Sequence, residues 1–453
     1  MMTQLAIEKK SAARAADGII LRRYPGNSFE SAMLPSDSTD LTKSRPGMAQ
    51  LGALLLTLLM FAGPAAAGAV VAIGGALRYD NAAVWSRLVA LAGGQGARYV
   101  VFGTASATPT RAAQSAVAAL EAHGAVAEHI AVAPRLEGID LAQAVRDPEL
   151  IARVRAARGV FFTGGAQEYI VDTLQPGGQS TPLLDAIRDV LDRDGVIAGT
   201  SAGAAVMSRV MFRDPPDPVG VMKGALRPGQ DIDTGLGFAG PDLFVDQHFL
   251  RRGRLGRMLP LMQSQGLKTG IGVEENSAAI LRGHEIEVVG NGGVLFVDLA
   301  TATSNVQLGA FNVAGVRLTY LGDGDRLDLR SRAVTPAPAK ALGTRIDPRA
   351  TGFEPSFADA PFLLDVLGDG AILRGMTYAL DGPQAEVRGL AFDARPEARA
   401  PRDLGFEFRF YRGADTAGWF TSGFGDEAYT VVNVRLDVRP VQVAQPLYRA
   451  WQP

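Results

Sequence analysis

From residue 70 onward, short apolar runs alternate with stretches of helical period. Residues 70–73, 99–102, 159–162 and 196–198 are continuous apolar runs of strand length, as expected for strands covered on both faces. Residues 126–132 read as a further strand, and 83–92, 111–122, 149–157 and 182–193 carry helical periodicity. This succession predicts an α/β fold: a doubly wound, mainly parallel sheet flanked by helices, with ligand groups at the carboxyl ends of the strands. Beyond Leu329 the texture changes. Residues 333–356 contain Pro336, Pro338, Pro348 and Pro355 with little periodicity and read as a linker. Strand alternation then takes over: Phe406, Phe408 and Phe410 alternate with Glu407 and Arg409, and Val432, Val434, Leu436 and Val438 with Asn433, Arg435 and Asp437. The predicted organisation is an N-terminal extension over 1–67, a catalytic α/β domain over 68–332, a linker over 333–356 and a β-rich accessory domain over 357–453.

The extension carries its own signal. Residues 51–62 form an apolar run too short to span a bilayer comfortably, preceded by Lys43 and Arg45 and followed by Pro64 and three alanines. That is the layout of a secretory signal peptide, and it predicts a secreted or periplasmic protein with no stable membrane span once the signal is removed. Residues 1–46 are polar and aperiodic, which makes Met33 or Met48 an alternative start.

Composition narrows the chemistry. The 453 residues include 45 Lys+Arg against 47 Asp+Glu, a formal charge of −2, so no global field draws the chain to nucleic acid or an anionic membrane. With 0 cysteines there is no disulfide, thiolate metal site or cysteine nucleophile. No His-x-x-x-His or clustered His/carboxylate spacing suggests a metal, and no cofactor is expected.

One segment presents a candidate serine nucleophile. Gly199-Thr200-Ser201-Ala202-Gly203 fits G-x-S-x-G after a short strand, and residues 202–210 read as an apolar helix. Such a turn lifts the serine out of the sheet, with the Ala202 N–H at a helix start behind it to receive an oxyanion. Gly164 and Gly165, after the strand at 159–162, would let backbone N–H groups approach the same oxygen. The chain has 4 histidines. His123 ends a helical pattern and His129 begins a strand, so both read as structural. His248 lies in a segment emerging from the core, among Asp246, Gln247, Arg251, Arg252, Arg254 and Arg257, where arginines offer a fork for a carboxylate. An acid would come from the strand end at Glu274 and Glu275. Only one of the two can face His248, and periodicity does not choose between them. An alternative uses the serine–acid–histidine order of α/β-hydrolases, with His284 as base and Asp246 or a glutamate as acid. His284, between Gly283 and Glu285, reads better as a hairpin tip.

At these residues the chain resembles the cyanophycinases, serine peptidases related to aspartyl dipeptidases. The resemblance rests on residues 162–167, the serine elbow, Asp246-Gln247-His248-Phe249 with Arg252, Arg254 and Arg257, and residues 270–276. It runs from about residue 70 to about residue 329. It implies Ser201 as nucleophile, His248 as base and Glu275 as acid, because the family pattern places its glutamate just before an Asp or Asn, here Asn276. It also implies that Gln167, Asp246, Gln247, Arg252, Arg254 and Arg257 bind substrate. The implied substrate is cyanophycin, a poly-aspartate backbone bearing arginine on each side chain through an isopeptide bond, and the implied products are β-aspartyl-arginine dipeptides. A dipeptidase for short aspartyl or isoaspartyl peptides would need the same groups, and a secreted binding protein could keep the pocket without turnover. One departure is Ala166, since members usually carry Gly-Gly-Asn-Gln where this chain has Gly164-Gly165-Ala166-Gln167. For the C-terminal region three roles are open: polymer binding, a homodimer contact, or cover for the catalytic domain's edge.

Overall fold

Five parallel strands make the floor of the site. They are β1 (Ala69–Ile73), β2 (Arg98–Phe102), β3 (Val126–Ile130), β4 (Gly159–Phe162) and β5 (Val196–Thr200), parallel and in the order β3-β2-β4-β5-β1. The computed structural model describes residues 68–393, 401–422, 428–444 and 446–452, so the signal-like segment at 51–67 lies outside the described residues.

Strands β1, β2, β4 and β5 are apolar but for Arg98 and Thr200 because both faces are covered, whereas the edge strand β3 carries Glu128 and His129 and is partly exposed. On one face Val71, Ile73, Tyr99, Val101, Phe161 and Ala198 pack against α1 (Ala82–Leu91) and α2 (Pro109–Ala122). The other face, with Val70, Ala72, Phe102, Phe162 and Ile197, meets α3 (Pro148–Ala156), α4 (Gln167–Leu174) and α5 (Pro182–Asp192). Helix starts follow local chemistry: Asn81 accepts the Val84 N–H, and Thr181 accepts the Leu184 N–H with Pro182 in the first turn. The expected α/β architecture with helices on both faces is present.

After β5 the chain leaves the parallel sheet. The helix expected over 202–210 is only α6 (Ala202–Ala205). The carbonyls of Val206, Met207 and Ser208 accept from Leu236, Ala239 and Gly237 instead of continuing a helix, and Ser208 Oγ takes the Val245 N–H at 2.6 Å. A ribbon of β6 (Val210–Phe212) and β7 (Ile232–Thr234) follows.

A second sheet starts with β8 (Leu243–Gln247) and β9 (Thr269–Val273), parallel neighbours separated by α7 (Leu255–Ser264). Between β9 and the rest of this sheet the chain returns to the first one. There β10 (Ser277–Arg282) lies antiparallel to β1, with β11 (Glu285–Gly290) beside it. His284 sits at the tip of that hairpin, as expected. β12 (Val294–Asp298) and β13 (Val313–Leu321) extend the second sheet, whereas β14 (Arg326–Asp328) and β15 (Val334–Thr335) end the first at nine strands.

The region predicted as a linker holds β15 and β16 (Thr344–Ile346). The β-rich C-terminal region comprises α8 (Ala371–Asp381), β17 (Glu386–Ala391), β18 (Leu404–Thr421) and β19 (Ala428–Gln442). β19 pairs with β13, so β17, β18 and β19 share one eight-stranded sheet with the strands bearing Gln247 and Val273. Phe406, Phe408 and Phe410 point into its core as the alternation predicts. On β19 the pattern slips. Asn433 has φ +57° at a bulge, and the buried residues are Val431 and Val434 rather than Val432 and Val434. Among the described residues no helix is long and apolar enough to cross a membrane.

Candidate active site

Ser201 follows β5, between the ends of β1 and β4. Its φ is +54°, a region that costs a non-glycine residue strain, and its N–H donates to Ile73 O at 3.0 Å. The flanking glycines are required by close approach. A Cβ at Gly199 would lie 2.3 Å from Gly203 O, and one at Gly203 would lie 2.6 Å from Phe162 O. Gly164 borders the serine, since a Cβ there would stand 3.1 Å from Ser201 Cβ. The N–H groups of Gly164, Gly165 and Ala202 have no acceptor among the described residues, and all three stand in the turn or beside it.

Strand β8 delivers His248 and strand β9 delivers Glu275, each just past its strand end. Ser201 Oγ lies 2.9 Å from His248 Nε2, and His248 Nδ1 lies 2.6 Å from Glu275 Oε1. A carboxylate only accepts, so Nδ1 carries the proton and Nε2 is left as an acceptor facing the serine hydroxyl. His248 itself has φ +48°, with its N–H donated to Gly74 O at 2.7 Å. Phe249 then lies flat on Gly272, where a Cβ would stand 2.1 Å from its ring. Burial lowers the His248 pKa, Arg252 and Arg254 push it the same way, and the hydrogen bond to Glu275 opposes them.

Glu274 does not face the imidazole. Its Oε2 accepts the N–H groups of Leu250 at 2.5 Å and Arg251 at 3.0 Å, and its Oε1 accepts the Glu275 N–H at 2.8 Å. The two carboxylates that periodicity could not separate therefore occupy different places.

The glycine pair ending β1 also serves the site, a role invisible in its sequence context. Gly75 has φ +102°, and a Cβ there would lie 2.3 Å from His248 Nε2. Gly75→Ala is therefore expected to displace the imidazole and slow labelling of Ser201 by a serine-directed acylating reagent by about 10²-fold. Retained circular dichroism would show that the loss is local.

The remaining site residues divide by their surroundings. Asp246 is buried and accepts from Arg257 Nη2 at 2.6 Å, Arg257 Nε at 2.8 Å, Arg254 Nη1 at 3.2 Å and its neighbour's Gln247 N–H at 2.9 Å. Burial alone would raise its pKa, but Arg257 and Arg254 together hold it below the usual carboxylate value. Burial likewise lowers Arg254 to about 10 against the pull of Asp246. Arg257 also lies over the Phe212 ring at 4.3 Å. Arg252 is exposed and its guanidinium has no partner among the described residues. Gln247 is buried with an unpartnered Oε1. Gln167 Nε2 donates to the carbonyls of Phe212 at 2.9 Å and Arg213 at 3.1 Å. Ala166 is the N-cap of α4 and makes no side-chain cap bond there. His123 caps the end of α2, and His129 lies on the edge strand β3.

The family model described as peptidase family S51 matches residues 70–289. A cyanophycinase of Geminocystis herdmanii is 30% identical over 271 residues, which cover 58% of this chain and 94% of that protein. The chain belongs to peptidase family S51. A cyanophycinase of Trichormus variabilis is 37% identical over 194 residues, or 41% of this chain, and the S51 chain spans 62% of that relative's length. Among solved structures, a peptidase from an acI-B1 Actinobacterium aligns with a TM-score of 0.44 at 19% identity, covering 58% of this chain and 97% of the other. The S51 match ends at residue 289, so β12 to β19 lie beyond it.

Proposed function

We propose that this S51 member is an exported serine peptidase that hydrolyses cyanophycin to β-aspartyl-arginine dipeptides. The observation that carries the reading is the unbroken line from Ser201 Oγ through His248 to Glu275 Oε1, with contacts of 2.9 and 2.6 Å. Such a line is the requirement for activating a hydroxyl whose own pKa is far too high for attack at neutral pH.

In this mechanism Ser201 Oγ attacks the scissile carbonyl while its proton passes to His248 Nε2. Glu275 stabilises the imidazolium that forms and keeps Nδ1 protonated. The tetrahedral oxygen is received by the Ala202 N–H and by an N–H of the Gly164–Gly165 turn; removal of one such donor typically costs about 10²–10³-fold. The imidazolium returns its proton to the leaving amine, and water enters with His248 again as base.

The substrate side of the proposal draws on the cyanophycinase names of the relatives and on the arginines. Arg252 is the free guanidinium for an aspartyl carboxylate, since Arg254 and Arg257 are already committed to Asp246. Gln247, with its unpartnered Oε1, and Gln167 would add amide groups for substrate. Export rests on the run at 51–62 with the small residues after it, and N-terminal sequencing of the mature protein checks it.

The test is incubation of the purified mature protein with cyanophycin and identification of products by mass. Dipeptide release supports the proposal. Cleavage of short β-aspartyl peptides alone makes the chain a dipeptidase, and an unreactive Ser201 makes it a binding protein.

The pH profile has a fixed sign. His248 must be neutral to act as base, and its surroundings hold it below the ordinary imidazole value of 6.5. Hence the acid limb of kcat/KM should have its midpoint below pH 6.5, activity being lost as the imidazole takes up a proton. An acid limb centred above 6.5 would contradict the burial argument.

A further inference from the structure

We infer that Glu274 is the positioning residue of the catalytic site, clamping the turn that carries His248 to the turn that carries Glu275. The inference rests on the serine–histidine–glutamate reading above. Its basis is that one carboxylate serves both turns. Oε2 takes the Leu250 and Arg251 N–H groups, two and three residues past His248, while Oε1 takes the N–H of Glu275.

Geometry makes such a clamp necessary. His248 and Asn276 both have positive φ, at +48° and +57°, a region uncommon for non-glycine residues although Asn and His enter it more readily than most. Conformations of that kind persist only where surroundings over-determine them. The two turns also share the His248–Glu275 side-chain bond and a looser pairing of Arg251 Nε with Glu275 Oε2 at 3.5 Å, whereas Glu274 joins them through their backbone N–H groups; Gly74 O holds the His248 N–H, and Gly75 O holds the Asn276 N–H at 2.8 Å. Hydrogen bonds from N–H groups to an ionised carboxylate are about twice as strong as neutral ones. The stem of Glu274 is itself fixed, because it packs on Gly292, where a Cβ would stand 3.1 Å from its Cβ and Cγ. The Glu274 N–H donates to Gly293 O at 3.0 Å. The clamp is thus anchored to the strand β12 side of the second sheet, and the triad's two contacts inherit that rigidity.

A residue that only satisfied backbone donors would affect melting and leave the chemistry of folded molecules alone. The experiment separates the two roles by measuring the rate at which a small uncharged phosphonyl fluoride labels Ser201, as a function of pH, alongside thermal melting. It compares the full mature chain with Glu274→Gln and Glu274→Asp. The neutral amide keeps one acceptor oxygen and places an NH2 against a backbone donor. We expect Glu274→Gln to label about 10²-fold more slowly per folded molecule. Its acid midpoint should move to lower pH, because the imidazolium loses both a nearby negative charge and a well-placed Glu275. Glu274→Asp keeps the charge, so the midpoint should return close to wild type with part of the rate.

Labelling within twofold of wild type at an unchanged midpoint overturns the inference, whatever happens to melting. If Glu274→Gln does not fold, Glu274→Asp carries the test, and a wild-type rate in that shortened variant overturns it. Wild-type protein that fails to label removes the triad reading and this inference together, whereas labelled wild type with an equally reactive Glu274→Gln removes this inference alone.

Discussion

Ser201→Ala is expected to lower kcat for dipeptide release from cyanophycin by about 10⁴–10⁶-fold, with the fold intact. The size follows from what the hydroxyl does. Without it no acyl-enzyme forms, and His248 with Glu275 has no hydroxyl to activate. What remains is binding and the oxyanion donors at Ala202, Gly164 and Gly165, which alone give a small residue of catalysis. Stability should change little, because Ser201 Oγ makes one side-chain contact, to the imidazole, and the strained turn is held by backbone bonds from Ser201 N and to Ser201 O. Product mass spectrometry with a parallel melting curve measures both. Cleavage by the alanine variant within tenfold of wild type would end the peptidase mechanism proposed above.

The second large effect concerns stability. Asp246→Ala leaves Arg254 and Arg257 half-buried or buried beside each other without their counter-charge. Removing one partner of a buried ion pair typically costs about 3–5 kcal/mol, because the orphaned charge keeps its desolvation penalty. The expected result is a fall in the denaturant midpoint corresponding to that range. Adding Arg257→Met to Asp246→Ala should restore part of the loss, since it removes one of the stranded charges; the double-mutant cycle reads their coupling. The pH dependence has a definite direction. Asp246 is held below its ordinary value of 3.8 in the folded chain, so its contribution is complete above that value and declines as pH falls through the lowered one. Substrate contact by Asp246 makes a different prediction: a raised KM with the midpoint unmoved. The two outcomes decide whether this carboxylate meets the ligand or supports the arginines under it.

Much of this site was legible along the chain because its parts obey local rules. A serine between glycines after an apolar run needs only a strand, a tight turn and a helix start to be presented. His248 could be singled out from three other histidines because they sat in patterns with plain structural explanations. The acid was different. Glu274 and Glu275 are adjacent, both carboxylates, both at a strand end, and alternation says only that they diverge. Which one meets the imidazole depends on the path of the segment after β8, a partner more than twenty residues away. The helix expected after Ser201 failed for a related reason: the carbonyls that would have continued it were taken by residues 236–239, whose approach no local pattern announces. The slip at Asn433 is the same lesson in a strand, where one extra residue moved Val432 off the buried face.

Local sequence by itself determined the α/β alternation, the nucleophile turn, the candidate base and the β-rich character of the C-terminal region. These depend on periodicity and on steric rules that act within a few residues. Only the tertiary structure decided that Gly75 must lack a side chain to admit His248, that Glu274 turns to the backbone of the segment after His248, and that β19 completes the sheet begun by β8 and β9. Each of these is a contact between distant segments, set by how whole sheets pack, and packing energy is not written in any one stretch of the chain.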